Sequence, residues 1–202
     1  MIDKQAIARD TASILLNTES IRIATDDPFT YVSGRKGPVY TDCRRLISFV
    51  EERNRLMDYG ADILRQCGDP VDMVAGGETA GIPYAAFIAE RLQKPMLYVR
   101  KKPKGYGRMA QIEGAIAEGE TPNIALIEDL QTDGGSKKVF VDALRDAGAT
   151  VKHGFVIFHY GIFAASEKNM TDMGLTLHAL CNWWDVLALM KDTGTHDAAT
   201  ID

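Results

Sequence analysis

An α/β fold, a parallel sheet flanked by helices beneath a small N-terminal hood, is the class this 202-residue sequence predicts. Three observations predict it. Apolar runs of strand length alternate with helical patterns from residue 70 to residue 180, the grammar of strand–crossover–strand units. The runs are continuous rather than alternating, as in strands covered on both faces. Three of them end in Gly76-Gly77, Arg100-Lys101 and Glu128-Asp129, and open α/β sheets bind ligands beyond the carboxyl ends of their strands.

The elements follow in order. Ile7, Thr11, Ile14 and Leu15 recur at helical spacing. Phe29 to Thr41 holds two short β-prone runs around a Gly/Pro-rich turn and reads as a hairpin. A helix is expected over 49–67. Val71 to Ala75 is a strand ending at Gly76-Gly77, and Ile82, Ala85, Ala86 and Ala89 mark the next helix face. Strands are expected over 96–99 and 124–127. Phe140, Leu144 and Ala147 give a helix closed by Gly148. Val151 to Phe158 is a further strand, Leu175 to Leu177 adds one, and Trp183 to Met190 forms a last helix. The chain divides into a hood and linking helix (1–69), an α/β core (70–180) and a C-terminal helix with a polar tail (181–202), all in one domain.

Hydrophobic residues at 46% and charged residues at 25% exclude a disordered chain. No apolar run approaches the ~18 residues of a membrane span, and the N-terminus lacks the apolar core of a signal peptide. Cys43, Cys67 and Cys181 are too few and too far apart for a disulfide scaffold or a CxxC zinc site. No pair of histidines has metal spacing, so no protein-ligated metal is expected, and His153 and His178 read as core or edge residues. A reducing, cytoplasmic setting fits. The net charge of −5 weighs against a nucleic-acid coat. Yet Arg100, Lys101, Lys102, Lys104 and Arg108 fall within nine positions that contain no acid. Such a cluster on an acidic protein suits a small, highly anionic ligand; the alternative is a solvated loop.

The most informative segment is Ile124-Ala-Leu-Ile-Glu128-Asp129-Leu-Gln-Thr132-Asp133-Gly134-Gly135-Ser136. A buried strand delivers two carboxylates to the sheet edge, and a Gly-containing turn then opens a helix. Backbone amides and a helix N-terminus suit a phosphate, with Thr132 and Ser136 adding hydroxyls. Vicinal ribose hydroxyls would occupy the carboxylates, so a ribose phosphate needs both halves. The alternative is an ordinary strand-to-helix turn capped by Thr132 or Asp133. Neither a P-loop nor a GxGxxG fingerprint occurs.

These residues resemble the phosphoribosyl diphosphate (PRPP) motif of type I phosphoribosyltransferases, and the wider pattern is similar to the orotate phosphoribosyltransferase family. Phe29-Thr30-x-x-Ser33-Gly34-Arg35-Lys36-x-Pro38 resembles that family's N-terminal hairpin. Gly77-x-x-x-Gly81-Ile82-Pro83 resembles its diphosphate loop. Arg100-Lys101-x-x-Lys104-x-Tyr106-Gly107, followed by Glu113-Gly114, resembles its basic mobile loop.

The resemblance implies transfer of a phosphoribosyl group from PRPP to orotate, with Mg2+ bound mainly through PRPP. It also implies a homodimer whose 100–108 loop is shared across subunits. Lys104, Asp129 and Arg100 would be catalytic. Substrate would meet Arg100, Lys101, Lys104, Tyr106, Glu128, Asp129, Thr132, Asp133, Gly134, Gly135, Ser136, Lys36, Tyr40, Thr79 and Tyr160. Four positions depart from the family pattern, each losing or weakening a cation: Val32, Ala80, Tyr106 and Tyr160. Lys36 or Arg35, and Tyr160 or His159, are the expected compensations. Two alternatives share the fold: a transferase for another base, such as a purine, and a PRPP sensor without turnover.

Overall fold

The computed structural model describes residues 2–31, 34, 36–105 and 110–195. Helix α1 (Lys4–Asn17) starts at Asp3, whose Oδ1 accepts the Gln5 and Ala6 amides at 3.1 and 3.0 Å. Its buried stripe is Ile7, Thr11, Ala12, Ile14 and Leu15, as the spacing predicts. Next come β1 (Ile21–Ile23), β2 (Phe29–Thr30), β3 (Lys36–Gly37), β4 (Val39–Thr41), a 3-10 turn (Cys43–Ser48) and α2 (Val50–Arg65).

The hood corrects the expected hairpin. Phe29 pairs with Gly37 and Thr30 with Lys36, so β2 closes on β3. Val39–Thr41 pairs instead with Ile21–Ile23, antiparallel. Pro38 separates the two ladders because it offers no amide, while its carbonyl accepts from Ala24 at 2.7 Å. Ile21, only 3% exposed, ties β1 to the core, yet three residues are too few to announce a strand.

The core comprises β5 (Met73–Gly77), α3 (Gly81–Leu92), β6 (Met96–Val99), β7 (Ile112–Glu113), β8 (Asn123–Ile127), β9 (Leu130–Gln131), α4 (Lys137–Asp146), β10 (Thr150–His159), α5 (Ala164–Asp172), β11 (Thr176–Asn182) and α6 (Trp183–Thr193). The sheet runs β11-β10-β8-β5-β6-β7, with β9 also on β10. Its strands are parallel except β7, which returns antiparallel to β6. One face buries Leu15, Leu56, Tyr84, Ile88, Phe155 and Trp183; the other buries Leu97, Leu126, Phe140, Leu144 and Val151. Each such side chain contributes about 1.5–3 kcal/mol.

Three details depart from the sequence reading. The buried face of α3 is Gly81, Tyr84, Ala85, Ile88 and Ala89, while Ala86 is exposed. Helix α5 buries only Ser166 and Met170, too weak a stripe to read in advance. Strand β11 runs on to Asn182, through residue 180.

Candidate active site

The chain winds outward from β5 to β6, then crosses back to lay β8, β10 and β11 on the other side. The strand order therefore reverses between β5 and β8, and a crevice opens beyond their carboxyl ends. A cleft of about 330 Å³ lies there, lined by Gly77, Glu78, Thr79, Ala80 and Gly81 after β5 and by Glu128, Asp129 and Leu130 after β8. Ser136 and Phe140 close one side, Lys101 another, and the hood contributes Thr41, Asp42 and Arg44. Gly81 permits this closeness. A Cβ there would collide with the Ile127 carbonyl oxygen and lie 3.3 Å from Glu128 Cα.

The two acids are not equivalent. Glu128 is paired at 2.5 Å with Lys137 Nζ, and that lysine side chain is 1% exposed. Asp129 lies at a break in the ladder, where its carbonyl accepts from Ile157 and Phe158 at 3.0 and 3.2 Å. Burial pushes the Asp129 carboxyl above its ordinary range. The amides of Leu130 and Asp129 itself pull it down, Glu128 adds to the rise, and Lys137 opposes it. Lys137 escaped the sequence reading because a lysine in a helix's first turn looks solvated.

After β9 the chain turns through Thr132, Asp133, Gly134 and Gly135 into α4. Gly134 adopts φ +78°, and a Cβ there would meet Met170 at 2.6 Å. Asp133 Oδ1 accepts the Gly135 amide at 3.0 Å, and Asn169 holds the Asp133 carbonyl at 2.8 Å. Ser136 stands at the N-cap of α4 and makes no side-chain capping bond. Neither Thr132 nor Asp133 caps the helix, and Ser136, at its N-terminus, lines the cleft.

The basic segment follows β6, which pairs antiparallel with β7. Its flanks are tied by Arg100 N to Gln111 O (2.7 Å) and Lys104 N to Ala110 O (2.9 Å). Lys101 N donates to Glu78 Oε2 at 2.7 Å, which holds Lys101 at the cleft. The segment does have a compensating acid: Glu113 Oε1 lies 3.4 Å from Lys104 Nζ and 3.7 Å from Arg100 Nη1. The partner comes from β7, outside the stretch that looks acid-free in sequence. Arg100 Nε is buried without a hydrogen bond. Tyr106 and Arg108, like Val32, Ser33 and Arg35 in the hood, lie outside the described residues.

Thus Thr79, Lys101, Glu128, Asp129 and Ser136 share one cleft, with Thr132 to Gly135 in the adjoining turn. Arg100 and Lys104 stand on the flank beside Glu113. Lys36 is exposed on β3. Tyr40 packs with Phe29 around the Arg22 guanidinium, on the opposite side of β4 from Thr41. Tyr160 packs on Phe158 and Trp183; burial raises its pKa, with Thr41 beside the hydroxyl opposing. His159 Nε2 is shared with Ser166 Oγ at 2.9 Å. Trp183 is buried in the core, whereas Trp184 is 62% exposed.

Arg44 was not foreseen from the sequence, because the 3-10 turn that carries it has no strong pattern. It binds Asp42 Oδ1 at 2.6 Å, and it holds that carboxyl below its usual range. It supplies the cleft with a hood cation. His153 and His178 lie on β10 and β11. Burial lowers both, with Asp69 opposing at His153, and brings His178 to about 4. A larger cavity of about 830 Å³ lies between α5 and β11, but Glu167 and His159 are the titratable residues among its lining.

No family model matches the sequence. The chain is 53% identical to the orotate phosphoribosyltransferase of Roseobacter denitrificans over 98% of its own length and 88% of that protein. The crystal structure of orotate phosphoribosyltransferase from Aeropyrum pernix matches 92% of this chain and 99% of that one, with TM-score 0.74 and 27% identity. Adenine phosphoribosyltransferase from Leishmania donovani shares the fold at TM-score 0.65 and 17% identity, over 87% of this chain and 81% of that one.

Proposed function

The chain belongs to the orotate phosphoribosyltransferase family, and from that premise we propose how its cleft divides the chemistry. The reaction is transfer of the 5-phosphoribosyl group from PRPP to orotate in pyrimidine synthesis. The orotate N1–C1′ bond forms, the bond from C1′ to the diphosphate breaks, and orotidine 5′-monophosphate and pyrophosphate leave. In the transition state positive charge gathers on the ribose and negative charge on the departing diphosphate. The enzyme must meet both with fixed charges of opposite sign.

Asp129 meets the ribose. It is the carboxylate of the pair that is not ion-paired to Lys137, so it accepts the ribose hydroxyls and faces the developing cation. Glu128 takes the second hydroxyl while Lys137 holds its charge in place. The turn from Thr132 to Ser136, with the first turn of α4, receives the 5′-phosphate. Lys101, with Arg100 and Lys104 brought in from the loop, neutralises the diphosphate. Thr79 and the Gly77–Gly81 turn form the diphosphate floor. Thr41, Arg44 and Tyr160 stand nearest the base, with Lys36, Tyr40 and Tyr106 as further contacts.

The oxygen-only donor set of Asp129 and Glu128 fits Mg2+, which binds through one or two carboxylates plus substrate phosphates. When bound with PRPP it neutralises diphosphate charge. We propose a cytoplasmic homodimer in which the 100–108 loop is shared across subunits, with Lys101 at its own chain's cleft. The hood (1–69) covers the core (70–180), followed by the C-terminal helix and tail (181–202).

The observation that carries this reading is the convergence of Asp129, Ser136, Lys101 and Arg44 on a single cleft at the β5/β8 switch point. The test is a base panel with PRPP and Mg2+, following pyrophosphate. Release is expected with orotate and not with adenine, hypoxanthine or xanthine. Release with a purine alone would assign another base, and PRPP binding without release would make the chain a sensor.

A further inference from the structure

Away from the cleft, toward the amino-terminal ends of β10 and β11, a second cluster of side chains has no part in phosphoribosyl transfer. Cys67 follows α2. His153 and His178 come from adjacent parallel strands, with His153 beside Thr176 and Phe155 beside His178. His153 Nδ1 lies 3.1 Å from His178 Nε2, and Cys67 Sγ lies 3.4 Å from the same nitrogen. The donor atoms of all three residues lie within 4.8 Å of one another, the one such His/Cys/Asp/Glu group among the described residues.

These separations can be compared with a metal's needs. Zinc bonds of about 2.0–2.1 Å to nitrogen and about 2.3 Å to sulfur, at tetrahedral angles, place two nitrogens roughly 3.3 Å apart and nitrogen and sulfur roughly 3.6 Å apart. The two observed contacts are each within a few tenths of an ångström of those values. An acid stands just beyond hydrogen-bond distance of the outer nitrogen. His153 is 7% exposed, and its Nε2 is buried with no hydrogen-bond partner. The nearest acid to that nitrogen is Asp69, whose Oδ2 is 3.9 Å away and whose Oδ1 is held by Lys152 Nζ at 2.8 Å. A histidine that ligates through one nitrogen and turns the other toward a carboxylate is the usual arrangement of a metal-bound imidazole. Cys67 and His178 are half-buried, which leaves a fourth position to water.

We infer that Cys67, His153 and His178 form a binding site for one tetrahedral, thiophilic divalent cation of the zinc type, with Asp69 orienting His153. The ligands are Cys67 Sγ, His178 Nε2 and His153 Nδ1. On binding, the Cys67 thiol proton leaves to solvent. The proton between the two imidazole nitrogens is not lost: His153 takes the tautomer that carries it on Nε2, on the Asp69 side, and this frees Nδ1 for the ion. The ion would tie the end of α2 to two strands of the sheet. No step of the transfer reaction passes through it.

The test uses tag-free, chelator-treated full-length protein titrated with Co2+ and then Zn2+. Wild type is expected to bind one Co2+ with a thiolate-to-cobalt charge-transfer band and intense tetrahedral d–d bands, both erased by one equivalent of Zn2+. Cys67→Ser should lose the charge-transfer band. His178→Asn should weaken affinity at least tenfold, and Asp69→Asn should weaken it roughly 10- to 100-fold. Zn2+ should raise the thermal midpoint of wild type and not of Cys67→Ser. Circular dichroism and orotate turnover, both expected unchanged in Cys67→Ser, report its fold. Absence of a saturable cobalt spectrum in wild type, or the same spectrum and affinity in Cys67→Ser, would overturn the site and leave a hydrogen-bonded trio.

Discussion

The carboxyl-end cleft and the histidine–cysteine cluster sit on one sheet but toward different ends, and they favour different chemistry. The cleft gathers carboxylates, hydroxyls, helix-end amides and cations: hard groups suited to phosphate, ribose and an oxygen-bound ion. The other cluster gathers two imidazoles from strands packed side by side and a thiol from the end of α2, soft and borderline donors. The difference teaches that a parallel sheet presents two kinds of site. Beyond the strand ends loops are free to open a polar cleft, whereas within the sheet strand register and the helix ends packed on it fix which side chains meet.

The sharpest way to separate the two regions is to strike the cleft. Asp129→Asn should lower turnover roughly 10²–10³-fold, the scale of losing one preorganised electrostatic contact, and leave cobalt binding at Cys67 untouched. Equal loss in both assays would mean a general folding defect. Lys104→Ala should cut turnover by orders of magnitude without changing the thermal midpoint. A variant near wild-type rate would remove Lys104 from the mechanism and leave its pairing with Glu113 as a surface contact.

Lys137→Ala asks how far the cleft depends on a buried charge. Removing one partner of a buried pair costs about 3–5 kcal/mol because the other charge is stranded. Denaturant unfolding should show that loss, while Lys138→Ala next to it, exposed and paired with Asp142, should cost no more than about 1 kcal/mol. Equal effects would show that Glu128 and Lys137 are solvated.

The smallest effect is on pH dependence. In the proposed mechanism Asp129 serves the ribose as the carboxylate, and burial raises its pKa in the free enzyme. The acidic limb of kcat/KM should therefore lie above the ordinary aspartate value of about 3.9. For stability the sign is the reverse of the usual carboxylate. The folded state binds this proton more tightly, so Asp129's contribution is favourable below the unfolded pKa and is lost as pH rises through the folded one. Asp129→Asn should flatten that part of the stability profile. An acidic limb at the ordinary value would place the carboxylate in water.

Much of the fold was legible in the chain, for identifiable reasons. Ile124–Ile127 announces itself because a strand buried on both faces must be apolar throughout, and Met96–Val99, half-buried on one face, is still an apolar run of strand length. The helix over 4–17 does so because a surface helix must carry a stripe. The hood was less legible. Its ladders are two or three residues long, and Pro38 decides which run pairs with which. Helix α5 has too weak a stripe, and Arg44 sits in a turn with no pattern.

By itself the sequence determined which strands end in acids, glycines or a basic stretch, because local composition fixes burial and turn geometry. Only the tertiary structure decided that Glu128 is neutralised by Lys137 while Asp129 stands apart, and that Glu113 reaches back to Arg100 and Lys104. It also decided that Cys67, His153 and His178 meet at all. Their spacings of 86 and 25 residues carry no ligand pattern. Contact between them depends on the register of β10 against β11 and on where α2 ends, and a chain read one residue at a time does not contain that information.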